Sequence, residues 1–134
     1  MTIVHYFMTI LRYWKTILVA VVILYVSLLR EPCFSLPPID CGDKWAHLLA
    51  YALLGAVAHW DSRRIELKRY VVLIAIVLPI LYGGALELVQ ELWFYPRTGD
   101  WLDWAVDAIG VVLGYSLISI ALCTYQKLMN PTDE

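Results

Sequence analysis

The chain has 134 residues and a mass of 15.4 kDa, with 61% hydrophobic and 16% charged residues and a mean hydropathy of +0.68. Soluble domains average about half apolar and a quarter charged residues, and one domain of this size cannot bury so large an apolar excess. The composition excludes an ordinary soluble protein and indicates that the excess faces lipid. A net charge of −2 and a pI near 5.9 leave no basic surface, so nucleic acid is not an expected partner.

Apolar runs long enough to span a bilayer occur four times, at about residues 9–29, 45–60, 70–94 and 102–124. The second run is short, but about 16 residues at 1.5 Å each still cover ~24 Å, which slight bilayer thinning accommodates. The third run contains Pro79 and Gly83-Gly84, which predict a kink. Short connecting loops then predict an all-α membrane protein, a single domain over residues 1–134 whose four transmembrane helices form an antiparallel bundle.

The distribution of Lys and Arg predicts the orientation of this bundle. Seven of these ten residues lie at one end and three at the other, which predicts that both termini are cytoplasmic and that the chain is a multi-pass protein of the cytoplasmic membrane. The other, outer end holds eight acidic residues against its three cations. No small-x-small cleavage site follows the first run, so we interpret that run as an uncleaved anchor.

The cysteines and one histidine have structural interpretations. Cys33 and Cys41 fall in the first outer loop, where a disulfide and two free thiols are both open. Cys123 lies near the inner end of the last run and is interpreted as a packing residue. His59, beside Trp60 at the inner boundary, is interpreted as an interfacial side chain.

Three of the predicted helices carry polar residues at offsets of three and four near their outer ends. A carboxylate that faces lipid costs on the order of 2.5 to 3.5 kcal/mol, so these faces are expected to converge inside the bundle as one outward-facing polar pocket. The predicted binding residues are Asp43, Lys44, His47 and Tyr51 from the second helix, Glu87, Gln90 and Glu91 from the third, Arg97 from the next loop, and Asp103 and Asp107 from the fourth.

Two interpretations of this pocket are open. In one, Lys44 and Arg97 neutralise Asp43, Glu87 or Asp103 and close the bundle without any ligand. In the other, the excess of acids is compensated by protonation or by a bound cation. For a divalent cation the oxygen-rich donor set favours Ca²⁺, Mg²⁺ or Mn²⁺ over Zn²⁺. The candidate metal ligands are His47, Glu87, Asp103 and Asp107.

Gly110 and Gly114 form a small-xxx-small pattern that lets two helix backbones approach closely. Because these glycines continue the face of Asp103 and Asp107, we expect them to pack within the bundle. A homodimer seam through the same two glycines is the secondary expectation.

The ordered set Asp43-Lys44-x-x-His47-x-x-x-Tyr51, Glu87-x-x-Gln90, Arg97, Asp103 and Gly110-x-x-x-Gly114 resembles the VanZ-like family over about residues 43–114. The resemblance implies a small multi-span protein of the bacterial inner membrane. It also implies an association with resistance to teicoplanin, a lipid-bearing glycopeptide antibiotic. Where the family commonly has Asn after the Asp of the fourth helix, this chain has Asp107, which adds a negative charge to the pocket.

Two functions follow as hypotheses. In the first, the pocket binds the head group of a membrane lipid, a lipid-linked envelope precursor or a lipoglycopeptide, with Lys44 and Arg97 pairing with anionic groups and the acids with amines. In the alternative, the chain is a membrane-embedded hydrolase or transferase, metal-dependent or not, that acts on a lipid-linked envelope substrate with His47 or Glu87 as general base. No Ser in a glycine elbow and no lipid phosphatase motif is present, so enzymatic activity is left open.

Overall fold

The structure is a computed structural model that describes residues 11–28, 42–93 and 100–129. These residues form four helices and no strand, which confirms the all-α prediction for this part of the chain. We number the helices α1, Trp14–Leu28; α2, Gly42–Ser62; α3, Lys68–Trp93; and α4, Trp101–Met129. Each helix coincides with one predicted apolar run. α4 continues past residue 124 because its last residues, from Gln126 to Met129, are strong helix formers.

Two of the helices are long and apolar enough to cross a membrane. The most apolar 18-residue windows of α3 and α4 have mean hydropathies of 2.3 and 2.0. Only 33% and 22% of these windows are buried inside the protein, whereas a core helix of a soluble protein is mostly buried. α1 is an apolar helix of 15 residues, about 22 Å long, and α2 carries charges near both ends. For α1 and α2, crossing of the membrane stays a prediction.

Neighbouring helices run antiparallel, and polar contacts tie their ends. The start of α1 contacts the end of α2, where the Thr16 hydroxyl donates a hydrogen bond to Asp61 Oδ2 over 2.9 Å. The end of α1 contacts the end of α3, where Gln90 Nε2 donates to the Ser27 carbonyl oxygen over 2.9 Å. The starts of α2 and α4 therefore lie at the same end of the molecule as the end of α3.

α2 and α4 approach each other through glycines. A Cβ on Gly110 would lie 2.5 Å from the Leu48 carbonyl oxygen, and one on Gly114 would overlap the carbonyl oxygen of Ala52. Only residues without a side chain permit this separation. The expectation that both glycines pack within the bundle is confirmed. α2 covers their face of α4, and a dimer seam through them stays a prediction.

α3 contains an irregular stretch beside its proline. Residues Leu73–Val77 are π-helical, and Pro79 follows two residues later. A proline lacks the N–H that would bond to the carbonyl four residues earlier, and its ring clashes with that carbonyl, which here belongs to Ala75. A wider π-helical turn at this point lets α3 continue through the proline. The irregularity therefore lies on the N-terminal side of Pro79.

The structure adds a contact to one of the structural interpretations and contradicts another. His59 is only 8% exposed and its ring meets that of Tyr115 edge to face at 4.3 Å, because α4 covers this side of α2. Cys123 is exposed on α4 and has no packing role inside the chain. Cys33 and Cys41 lie outside the described residues.

Candidate functional site

Polar residues of three helices meet where α2 and α4 begin and α3 ends. We call Lys44, His47, Tyr51, Glu87, Asp103 and Asp107 the polar cluster. Four of its members are buried: Tyr51, Glu87, Asp103 and Asp107 are 2%, 6%, 8% and 1% exposed. Most other described side chains on these helices are apolar, so burial of three carboxylates at one level requires specific compensation.

His47 and Asp107 link α2 to α4. His47 Nδ1 and Asp107 Oδ1 are 2.9 Å apart, within hydrogen-bond distance. Tyr51, one turn further along α2, stacks parallel to the imidazole with ring centroids 6.5 Å apart. A carboxylate on one side and an aromatic ring on the other fix the orientation of the imidazole.

Glu87 links α3 to the start of α4. Its Oε2 accepts a hydrogen bond from the Asp100 backbone N–H over 2.9 Å. Asp100 in turn caps α4, since its Oδ1 accepts a hydrogen bond from the Leu102 N–H over 2.8 Å. Sequence reasoning missed this role of Asp100, although an Asp directly before an apolar helical run is a known start signal.

Lys44 is engaged by carboxylates of α4. Its Nζ lies 2.9 Å from Asp103 Oδ1 and 3.5 Å from Asp100 Oδ2. This is the pairing that the ligand-free interpretation predicts for Lys44. It removes Asp103 from the candidate metal ligands in this arrangement, and it leaves Glu87 and Asp107 without a salt bridge to any Lys or Arg among the described residues.

Two predicted site residues stand apart from the polar cluster, and two others are not among the described side chains. Gln90 is buried, but its amide donates to α1 at the Ser27 carbonyl oxygen, so it fixes α1 against α3. Glu91 is exposed and does not join the cluster. The side chain of Asp43 and all of Arg97 lie outside the described residues.

One oxygen in the polar cluster is unsatisfied. Asp107 Oδ2 is buried and accepts no hydrogen bond from any residue that the structure describes. It lies against α3, where a Cβ on Gly83 would be 3.0 Å away. Buried polar atoms without a partner are uncommon in proteins, and each is explained by strain, a catalytic role, or a bound water or ion.

Imidazole and carboxylate groups of the cluster also have metal-binding geometry. His47, Glu87 and Asp107 each offer one ligand atom, and these atoms lie within 4.8 Å of one another. Three of the four predicted metal candidates are thus brought together. The fourth, Asp103, belongs to the ion pair with Lys44.

A second polar group lies at the opposite end of the bundle, and sequence reasoning did not single it out. Asp61, 4% exposed, accepts hydrogen bonds from the hydroxyl and the backbone N–H of Thr16 and lies 3.6 Å from Lys15 Nζ. Its oxygens therefore have partners on α1, and the group connects α1 to α2 as a structural contact.

No family model, curated protein or solved structure matches this chain. The resemblance to the VanZ-like family accordingly depends on the ordered residues given above. What the chain does is inferred from the geometry of the polar cluster.

Proposed function

We propose that this chain is a VanZ-like protein of the bacterial cell envelope that binds the polar head group of an envelope lipid or of a teicoplanin-type lipoglycopeptide in its polar cluster. Through this binding it lowers susceptibility to such antibiotics. The observation that carries the proposal is Asp107, a buried acid at the end of an apolar bundle with one oxygen unpartnered.

The proposal includes four membrane spans with both termini in the cytoplasm. Support comes from α3 and α4, which are long and apolar enough to cross, and from the antiparallel packing of α1 and α2 beside them. Large apolar side chains on the outside of α1 and α2, such as Val21, Tyr25, Leu49 and Leu53, are 53%, 67%, 66% and 54% exposed. In water such faces would aggregate, whereas lipid accommodates them. The acid-rich end then faces outward by the positive-inside rule.

The charges of the cluster define the chemistry of the head group. Lys44 is engaged by Asp103 and Asp100, so it is not an open site for phosphate. Glu87 and Asp107 place two acids together without a Lys or Arg partner among the described residues. Protonation of an acid and the His47 imidazole, 2.9 Å from Asp107 Oδ1, are two ways to offset this charge. The proposal takes the third, in which the ligand brings positive charge, either as an ammonium group of the head or as a cation that bridges to an anionic head.

A susceptibility assay tests the function. In a teicoplanin-sensitive bacterium, the wild-type chain should raise the inhibitory concentration of teicoplanin and leave that of a glycopeptide without a lipid chain unchanged. Asp107→Asn keeps the size of the side chain but removes its charge, and should abolish the effect. Glu66→Gln, at an exposed acid near the other end of the bundle, is the matched control and should behave like wild type. Equal membrane levels are verified by immunoblot, and an unchanged inhibitory concentration with wild type would overturn the proposal.

Native mass spectrometry of the detergent-purified chain tests the binding step directly. Wild type should retain a lipid that Asp107→Asn and His47→Ala lose, with helicity by circular dichroism unchanged in both variants. Retention of the same lipid by wild type and both variants would mean that it binds the outer apolar surface and not the polar cluster.

One observation favours a second candidate function, that of a membrane-embedded hydrolase or transferase. A carboxylate within 2.9 Å of an imidazole nitrogen, as between Asp107 and His47, is the arrangement that orients a general base. His47 would then activate water against a phosphate or acyl bond of a lipid-linked substrate. Release of phosphate or fatty acid from envelope lipid by purified wild type, and its loss in His47→Ala, would establish this activity.

A further inference from the structure

Three helices each contribute one donor to the same point inside the bundle. His47 comes from α2, Glu87 from α3 and Asp107 from α4, and one ligand atom of each lies within 4.8 Å of the other two. Holding these groups together by side-chain packing alone costs free energy, since the two acids repel each other inside the bundle.

The distances suit a metal ion with only small movements. Zn²⁺ and Mn²⁺ bind imidazole nitrogen and carboxylate oxygen at about 2.0 to 2.2 Å, so neighbouring ligand atoms in a tetrahedral site are roughly 3.4 Å apart. The 2.9 Å between His47 Nδ1 and Asp107 Oδ1 and the 4.8 Å limit for the whole group lie on either side of that value.

Two further observations indicate a ligand between these three side chains. Asp107 Oδ2 is buried and unpartnered among the described residues, which leaves lone pairs aimed into the protein interior. Glu87 Oε2 is oriented by the Asp100 backbone N–H, so the carboxylate is held as an outer hydrogen bond holds a metal ligand. The nearest described cation, Lys44, is committed to Asp103 and Asp100.

We propose that His47, Glu87 and Asp107 bind one divalent transition-metal ion, Zn²⁺ or Mn²⁺. Two carboxylates and one imidazole are too few oxygens for Ca²⁺, which takes six to eight, and imidazole favours transition metals over Mg²⁺. The proposal differs from the sequence-based preference for Ca²⁺, Mg²⁺ or Mn²⁺, which counted Asp103 as a further donor. Three protein ligands leave at least one coordination position open, as in catalytic metal sites.

The open coordination position indicates the chemistry of the head group. An ion held by these three residues binds phosphate or carboxylate oxygen, so the ligand is an anionic head group that the metal bridges to the acidic cluster. This last step rests on the proposed function, whereas the metal site itself does not.

The experiment is a metal titration of the full-length chain in detergent, stripped with chelator and then given ZnCl₂ or MnCl₂. Inductively coupled plasma mass spectrometry measures stoichiometry, and thermal unfolding measures stabilisation on binding. Wild type should bind one ion per chain and melt at a higher temperature with metal. Asp107→Asn and His47→Ala should each weaken binding more than about 100-fold, because loss of a direct ligand exceeds the 10- to 100-fold loss typical of an outer partner. Glu91→Gln, at the exposed acid one turn after Glu87 on α3, is the matched control and should keep one ion per chain.

Each outcome decides the proposal. One ion of Zn²⁺ or Mn²⁺ that is lost in Asp107→Asn and kept in Glu91→Gln supports it. No bound ion in wild type, or the same stoichiometry in Asp107→Asn, overturns it, as does binding of Ca²⁺ or Mg²⁺ alone. If a variant unfolds, the melting temperature of wild type with and without metal still decides, since absence of any shift refutes the site. Failure of lipid retention with metal bound would refute the head-group step and leave the metal site intact.

Discussion

The close contact between α2 and α4 makes Gly114→Ala the sharpest test of the fold. An alanine Cβ at this position would overlap the carbonyl oxygen of Ala52, and it would lie 2.7 Å from the carbonyl carbon of the same residue and 2.9 Å from the Ala56 nitrogen. Non-bonded carbon contacts are ordinarily about 3.5 to 4.0 Å, so the two helices must separate by roughly 1 Å at this level.

The magnitude follows from two opposing effects. Overpacking of a well-packed contact costs about 1 to 3 kcal/mol, and alanine gains up to about 1 kcal/mol over glycine in helix propensity. We therefore expect Gly114→Ala to lower the free energy of unfolding by about 1 to 2 kcal/mol, a factor of roughly 5 to 30 in the ratio of folded to unfolded protein. Unfolding by sodium dodecyl sulfate in mixed micelles, followed by far-ultraviolet circular dichroism, measures this change.

Gly84→Ala is the matched control, since it makes the same substitution on α3. There the closest atom to the new Cβ is Nε1 of the Trp104 side chain, at 3.0 Å, and a side chain gives way more easily than a helix backbone. We expect this variant to lie within about 1 kcal/mol of wild type and to lose less stability than Gly114→Ala, because the propensity gain offsets part of the strain on a ring whose Nε1 also donates to the Ile80 carbonyl oxygen. A Gly114→Ala protein as stable as wild type would refute the α2–α4 contact and, with it, the basis for pairing His47 with Asp107.

Three other predictions follow from contacts and exposure. Asp61→Asn should lower the free energy of unfolding by about 1 to 2 kcal/mol, because its hydrogen bonds to α1 lose their charge, whereas Glu66→Gln at an exposed acid should not; chemical unfolding compares the two. Trp104→Phe removes the indole hydrogen bond to a carbonyl of α3 and should cost about 0.5 to 1.5 kcal/mol, with Trp101→Phe, at an exposed ring, as the unaffected control in the same assay. In a cysteine-free chain, Trp101→Cys should react with an impermeant maleimide on intact spheroplasts and Arg64→Cys only after lysis; the reverse pattern would overturn the predicted orientation.

The sequence was sufficient to predict the four helices and, on the helices that hold the site, the face that carries it. Apolar runs set the four helices, and offsets of three and four put His47 on α2 and Asp107 on α4 at matching depth. Since neither lipid nor core accepts an isolated carboxylate, the two faces had to meet, and in the structure they do.

The sequence could not predict which side chains pair with each other, because the pairing depends on the rotation of each helix about its own axis. Lys44 had several acids available, and the observed contact with Asp103 follows from the crossing of α2 and α4. Gln90 was placed in the pocket, yet it bonds to a backbone carbonyl of α1, a helix with no polar stripe to indicate the contact. Asp61 directly follows the second apolar run, and nothing in that position indicates that its carboxylate is buried against α1.

Glycines next to the polar cluster allow the helices that carry it to pack closely. Gly83 lies one turn before Glu87, and a Cβ there would come within 3.0 Å of Asp107 Oδ2. Gly110 lies one turn after Asp107 and faces the backbone of α2 beside His47. A nearby glycine thus allows each donor's helix to approach its neighbour closely. A larger residue at either glycine position would move the donors apart. The separation of α2 and α4, and with it that of His47 and Asp107, is therefore set by backbone contacts, which adjust little, whereas Gly83 on α3 faces the side chains of Asp107 and Tyr51. The rigid contact between α2 and α4 favours a small ion of fixed ligand distance over a ligand that the pocket must reshape itself to hold.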